Sequence, residues 1–326
     1  MIRVALALIL AIASIGAASA QSDTAPANWP DRPLRMIVPL PAGSAVDTVG
    51  RLIAQRLAAR LAQPVIVENR AGASGAIGAD AVAKAAPDGY TLGMATSTTH
   101  MTAAVLNAKL PYDPIKDFAP VAIVGVSPYV LVVNPKVPAN NIAELIALAK
   151  AKPREVSYAS SGPGSASHLA AEMLSGMTGI ELSHVPYKGT GPALPDLISG
   201  RVQLYINPLL AMIGAVEGGR LRVLAVTSAK RVATLPDVPT VAESGVPGYE
   251  ATSWYMLLVP GKTPPAVINR INAETLKALK DKDMIDLLTR GGADPLGNSP
   301  REASDFLKVE IARWGKAVKQ AGVRVD

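Results

Sequence analysis

Short apolar runs alternate with amphipathic stretches along most of this chain, and the joints between them are rich in glycine, serine and proline. Residues 34–39 form an apolar run that reads as a strand. Residues 47–61 then place Val49, Leu52, Ile53, Leu57 and Leu61 on one stripe at helical spacing. A second strand at 65–67, an alanine-rich helix at 75–86 stopped by Pro87-Asp88-Gly89, and a third strand at 91–96 follow. Apolar runs at 121–126 and 129–133 lie almost back to back. The unit then returns: a helix at 142–150 opened by a capping-box-like Asn141 and Glu144, a strand at 156–160, a helix at 165–177 and a strand near 181–185. A turn and helix at 189–198, strands at 202–206, 221–227 and 254–259, and helices at 265–279 and 300–321 complete the chain. This rhythm predicts an α/β fold of mostly parallel sheets flanked by helices. In such sheets ligands sit beyond the C-terminal ends of the strands, where the turns gather.

Four turns therefore hold the candidate chemistry. The first, residues 39–47, carries Ser44, Ala45 and Asp47, and the second, residues 71–75, carries Ser74. The third, residues 160–165, carries Ser161, Gly164 and Ser165 and leads into the helix bearing His168. The fourth, residues 186–192, carries Tyr187, Lys188, Gly189 and Thr190. Small residues there leave backbone N–H groups uncovered at helix N-termini, where the partial positive charge suits a carboxylate. Glycine and serine are also ordinary turn residues, and Asp47 also complements the first turn of its own helix. Two pairs of such turns in separate halves of the chain predict two anion-friendly lips across a cleft.

Composition narrows the chemistry. The chain has 326 residues and no cysteine, which removes disulfides, thiol nucleophiles and thiolate metal sites. Two Phe, three Trp and eight Tyr leave few platforms for stacking nucleic-acid bases, and the net charge of +6 is scattered, so no nucleic-acid partner is expected. No G-x-S-x-G elbow, phosphate loop, dinucleotide fingerprint or H-E-x-x-H appears, so neither a cofactor nor an enzymatic activity is expected. Of the three histidines, His168 forms an i, i+4 pair with Glu172 that is too small for a metal site. His184 reads as structural, and His100 as a residue bordering the cleft. The first 20 residues combine Arg3, an uncharged apolar run over 4–15 and Ala18-Ser19-Ala20, the pattern of a cleaved secretory signal. The mature product is then expected to be soluble, untethered and periplasmic.

Several local sequences are similar to those of a known family. Glu68-Asn69-Arg70 with Gly72-Ala73, Pro87-Asp88-Gly89-Tyr90-Thr91, Leu110-Pro111-Tyr112-Asp113 before Asp117-Phe118, and Val185-Pro186-Tyr187-Lys188-Gly189 are four of them. Leu235-Pro236-Asp237-Val238-Pro239-Thr240 with Glu243-Ser244-Gly245 is a fifth. Ser161-Gly162, Gly164-Ser165 and His168-Leu169 also sit as the family has them. From about Trp29 onward the chain resembles the Bug-type receptors, the extracytoplasmic solute-binding proteins of tripartite tricarboxylate transporters.

The resemblance implies a two-domain, type II-like Venus flytrap joined by crossing strands. Domain one would span 21–126 and 253–326, and domain two 127–252. It implies a small organic acid as ligand, the membrane subunits of a tripartite transporter as partners, and a monomer; passing a signal to a sensor partner is the alternative output. Ligand contacts carry over to Ser44, Ala45 and Asp47 on one side and to Ser161, Gly164, Ser165, Gly189 and Thr190 on the other. Ser74, His168 and Tyr187 complete the candidate set, together with Asn207, which stands where related receptors often carry Asp. Its neutral amide argues against an ammonium-bearing ligand, and Leu40, in place of the family's usual aromatic residue, disfavours a large aromatic one.

Overall fold

The computed structural model describes residues 28–102 and 110–320. The signal-like segment at 1–20 lies outside the described residues. The first unit is β1 (Leu34–Val38), α1 (Ala45–Leu61), β2 (Val65–Asn69), α2 (Ala76–Ala83) and β3 (Thr91–Thr96), followed by a π-helical turn at Ser97–Thr102. A 16-residue strand, β4 (Phe118–Val133), then leads to α3 (Ile142–Ala151), β5 (Ser157–Ser160), α4 (Ala166–Thr178), β6 (Ser183–Pro186) and α5 (Thr190–Ser199). Next come β7 (Leu204–Pro208), α6 (Leu209–Glu217), β8 (Arg222–Val226) and β9 (Thr252–Pro260). The chain ends with α7 (Pro265–Ala278), α8 (Lys282–Arg290), β10 (Asp294–Pro295) and α9 (Pro300–Gln320).

The strands form one curled sheet in the order β2-β1-β3-β9-β4-β7-β5-β6, with β8 and β10 also pairing with β4. Within each half the pairing is parallel: β1 with β2 and β3, and β5 with β6 and β7. The middle is antiparallel. The N-terminal part of β4 pairs with β9 as far as Ser127↔Ser253 and Pro128↔Thr252, and from Tyr129 onward its partners are β7 and β8. The two apolar runs read separately in the sequence are thus one strand, because Ser127 and Pro128 continue the ladder to β9.

Helix α1 shows why the local sequence folds this way. Val49, Ile53 and Leu57 are completely buried, and each contributes about 2 kcal/mol by leaving water. That outweighs the penalty of about 1 kcal/mol for Gly50 in a helix interior. A Cβ at Gly50 would stand 3.1 Å from side-chain atoms of Met94 and Val38, closer than ordinary van der Waals contact, so the helix packs tightly on the sheet there. Ser44 is the N-cap, so the helix begins two residues before the apolar stripe suggested.

The apolar core is continuous across the crossing strands. One cluster joins Ile37 and Ala95 of the first half to Tyr158 and Leu169 of the second, through Trp254, Met256 and Trp314. Arg313 of α9 straddles the same junction, paired with Glu250 at 2.7 Å and Glu310 at 2.8 Å.

Candidate ligand-binding cleft

The C-terminal ends of β1 and β5 face each other, and their turns form the walls of a cleft. On the first wall, Ser44 Oγ accepts the Asp47 N–H at 3.4 Å, and the Ser44 carbonyl accepts the Thr48 N–H at 3.0 Å. The N–H groups of Ala45 and Val46 have no carbonyl one turn back inside the helix, and both residues line the cleft. Asp47 stands behind this wall, only 3% exposed, and accepts from Gly43 N, Arg51 Nε and Asn69 Nδ2 at 3.0, 3.0 and 2.8 Å. Burial works against its charge, but the bonds from Arg51, Asn69 and Gly43 outweigh it and hold its pKa below the usual value. Asn69 also donates to the Leu40 carbonyl at 3.0 Å, so the Glu68-Asn69-Arg70 motif serves to hold the first turn in shape.

The second wall is a web of hydroxyls. Ser165 caps α4 by accepting the His168 N–H at 3.3 Å, and its Oγ lies 3.0 Å from Ser167 Oγ. Ser167 Oγ in turn accepts the Ser161 N–H at 2.9 Å, while Ser161 Oγ lies 2.8 Å from Tyr205 Oη. Gly164 turns its N–H back onto His168 Nδ1 at 3.1 Å. Gly189, at φ +129°, precedes α5, whose first residue Thr190 accepts from Asn207 Nδ2 at 3.2 Å. The floor comes from the crossing strands: Tyr129, whose Oη lies 3.0 Å from Ser97 Oγ, with Ser253 and Tyr255. Tyr255 Oη has the Ser127 and Ser253 hydroxyls nearby, yet it is buried without a hydrogen bond of good geometry among the described residues. Burial raises the pKa of Tyr129 to about 12 and also raises those of Tyr205 and Tyr255, so all three remain neutral hydroxyls.

These groups enclose a cavity of about 30 Å³, and no charged side chain lines it. Ser44, Ala45, Ser161, Thr190 and Asn207 of the expected set reach its wall, while Asp47, Gly164, Ser165, His168 and Gly189 do not. Ser74 and Tyr187 line an adjoining outer chamber of about 390 Å³. Sequence reasoning missed Val46, Thr96, Thr98, Tyr129, Ser167, Pro208, Ser253 and Tyr255. The Thr96-Ser97-Thr98-Thr99 run that begins at the last residue of β3 was a legible signal for Thr96 and Thr98, but residues on crossing strands offer none. Concavities elsewhere, such as one of about 310 Å³ between Asn134, Lys152 and Gln203, lie apart from these turns.

His100 does not border the cleft. It is 2% exposed, edge-on to Phe118 with ring centres 4.5 Å apart, and burial pushes its pKa down to about 3. Its apolar surroundings, drawn from distant segments, decide this. His184 stacks on His168 with ring centres 4.0 Å apart, and its Nε2 lies 2.6 Å from Ser160 Oγ.

Two parallel half-sheets, joined by crossing strands around a polar cleft at their strand ends, define a binding-protein architecture. The chain belongs to the family of tripartite tricarboxylate transporter receptors, whose sequence profile matches residues 49–323. Protein BugT of Bordetella pertussis is 39% identical over 98% of this chain and 96% of its own length. A solved R. palustris protein with adipate is 41% identical, with a TM-score of 0.87 over 90% of this chain and 98% of that one. MatC from Rhodopseudomonas palustris, with bound malate, is 33% identical, with a TM-score of 0.85 over 89% and 100%.

Proposed function

We propose that this chain is a periplasmic receptor that clasps a small organic acid between two domains and delivers it to the membrane subunits of a tripartite transporter. The domains are 21–126 with 253–326, and 127–252, and residues 1–20 are the export signal. The observation that carries this reading is the small, uncharged cavity at the N-termini of α1, α4 and α5, lined by hydroxyls and first-turn N–H groups. Helix N-termini favour a carboxylate without a paired cation, and exclusion of water strengthens each neutral bond. Relatives solved with adipate and malate support the same ligand class.

The residues favour binding over catalysis. His168 Nδ1 is occupied by the Gly164 N–H, and Ser160, the partner of His184, is completely buried. Among the described residues no third group orients His184 as a base in the manner of a hydrolase triad.

A thermal-shift screen of mono-, di- and tricarboxylates tests the reading. A ligand at 100 times its Kd adds about 2.7 kcal/mol to stability, enough to raise the melting temperature by several degrees. Absence of a shift with every acid would overturn the proposal.

A further inference from the structure

Two stacked imidazoles stand behind the second wall of the cleft. His168 of α4 and His184 of β6 lie 8° from parallel with ring centres 4.0 Å apart, and Tyr158 of β5 stacks on His184 at 4.9 Å. His168 is 7% exposed and lines neither the inner cavity nor the outer chamber. Its Nδ1 nevertheless accepts the Gly164 N–H at 3.1 Å, which fixes that nitrogen as the unprotonated one and leaves the ring proton on Nε2.

The turn held by this bond is where the two halves of the molecule meet. Pro163 presents its carbonyl to Ser74 Oγ at 2.8 Å, and Ala166 gives its N–H to Thr98 Oγ1 at 3.2 Å. Ser161, at the start of the same turn, reaches the cavity wall. An imidazolium at position 168 would carry hydrogen on both nitrogens, so its Nδ1–H would meet the Gly164 N–H donor to donor. On the other side of the ring, Nε2 stands 4.0 Å from Glu172 Oε1. The Glu172 side chain is partly exposed, so a proton arriving from solvent finds a counter-charge in place.

The surroundings leave this ring as the one whose charge changes. Burial lowers the pKa of His168, and burial followed by the neighbouring His168 lowers that of His184 to about 4. Two cations stacked so closely repel, so the pair takes one proton before two. Glu172 accepts from Tyr158 Oη at 2.5 Å, and burial raises the pKa of Tyr158. Of the other elements packed on α4, β7 brings Tyr205, which burial keeps neutral, and the π-helical turn brings His100, held near 3. Helix α9 brings Glu310 and Arg313, which pair with each other and with Glu250.

We propose that His168 is a positioning residue for ligand binding: its neutral ring pins the 162–165 turn in the closed clasp, and proton uptake there releases the turn and weakens binding. The effect on affinity rests on the organic-acid reading of the cleft. The sign follows from linkage. The closed, liganded form requires a neutral His168, so below the pKa of His168 in the free chain each ligand bound expels a proton. Affinity therefore falls as the pH falls, by at most about tenfold per unit.

The test compares the wild-type chain with His168→Asn and His168→Leu at about pH 7.5 and about pH 5, either side of the ordinary histidine value. Asparagine carries an oxygen acceptor in the place of Nδ1 and does not titrate, whereas leucine fills the space without an acceptor. The probes are adipate and malate, the acids bound in two solved relatives, and binding is read by calorimetry. On acidification the wild-type Kd should rise roughly threefold to tenfold more than that of His168→Asn, a comparison that cancels the titration of the acid itself. His168→Leu should bind more weakly than His168→Asn at the higher pH. A wild-type pH profile that survives in His168→Asn would overturn the proposal. Failure of both acids to bind the wild-type chain would count against the organic-acid reading and leave the pinning to NMR of the ligand-free chain. There the Gly164 amide resonance should move with the same midpoint as the His168 ring. A Gly164 amide indifferent to that titration would overturn the pinning, whether or not the acids bind.

Discussion

His100 is a titratable group placed where it must not titrate. Its Nδ1 lies 2.9 Å from Thr99 Oγ1, its Nε2 has no partner among the described residues, and Tyr112 and Phe118 crowd its ring. Burial lowers its pKa to about 3, so between about pH 6.5 and 3 the unfolded chain binds a proton that the folded chain does not. Stability should therefore fall as the pH drops through that window, by an amount on the order of 4 kcal/mol from this residue. His184, lowered to about 4 by burial and then by the neighbouring His168, acts with the same sign. We expect urea midpoints to decline from pH 7 to pH 4 while the His100 imidazole resonances stay in their neutral positions. Titration of His100 near pH 6.5 would contradict this. Nothing in the chain around His100 announced its burial, because Phe118 and Tyr112 reach it only through the fold. Asp47 is the converse case. Its proximity to Ser44 was legible, whereas its engagement by Asn69, 22 residues away, was not.

At the scale of elements, helix α2 lies unusually close to the first turn. A Cβ on Gly78 would stand 2.7 Å from both the Arg70 carbonyl oxygen and the Pro39 Cα, which are backbone atoms that cannot swing aside. Gly78→Ala should therefore destabilise the protein by about 1–3 kcal/mol, despite the gain in helix propensity. Gly214 in α6 is the control. No atom lies within 4 Å of a Cβ built there, so Gly214→Ala should stabilise by about 0.5–1 kcal/mol. Urea denaturation of the two variants should give shifts of opposite sign, and equal signs would refute the packing argument. Most elements were legible because their apolar periodicity is local. Helices α6 and α8 were not. Pro208 precedes α6 and offers no side-chain cap, and α8 is short, with only Met284 and Leu288 of its nine residues buried.

At the scale of the whole molecule, the two halves touch directly across the cleft. Ser74 Oγ bonds the Pro163 carbonyl, and Thr98 Oγ1 accepts the Ala166 N–H at 3.2 Å, occupying the first donor of α4. In the proposed clasp these contacts belong to the closed form, which ligand binding draws from an open–closed equilibrium. Ser74→Ala removes a bond worth about 0.5–1.5 kcal/mol and should weaken ligand affinity roughly twofold to tenfold. Solution scattering of the variant should also give a larger radius of gyration without ligand; an unchanged radius and Kd would show that the contact does not govern closure. The sequence by itself determined the α/β class, the family and the turns that carry the cleft, since these follow from local periodicity and from motifs contiguous in the chain. Only the tertiary structure decided which of those turns' residues face the cavity, and it added Tyr129, Ser253 and Tyr255 as a floor. The reason is physical. Strand register sets which side chains of β4 and β9 stand beneath the turns, and that register is a property of paired strands more than a hundred residues apart.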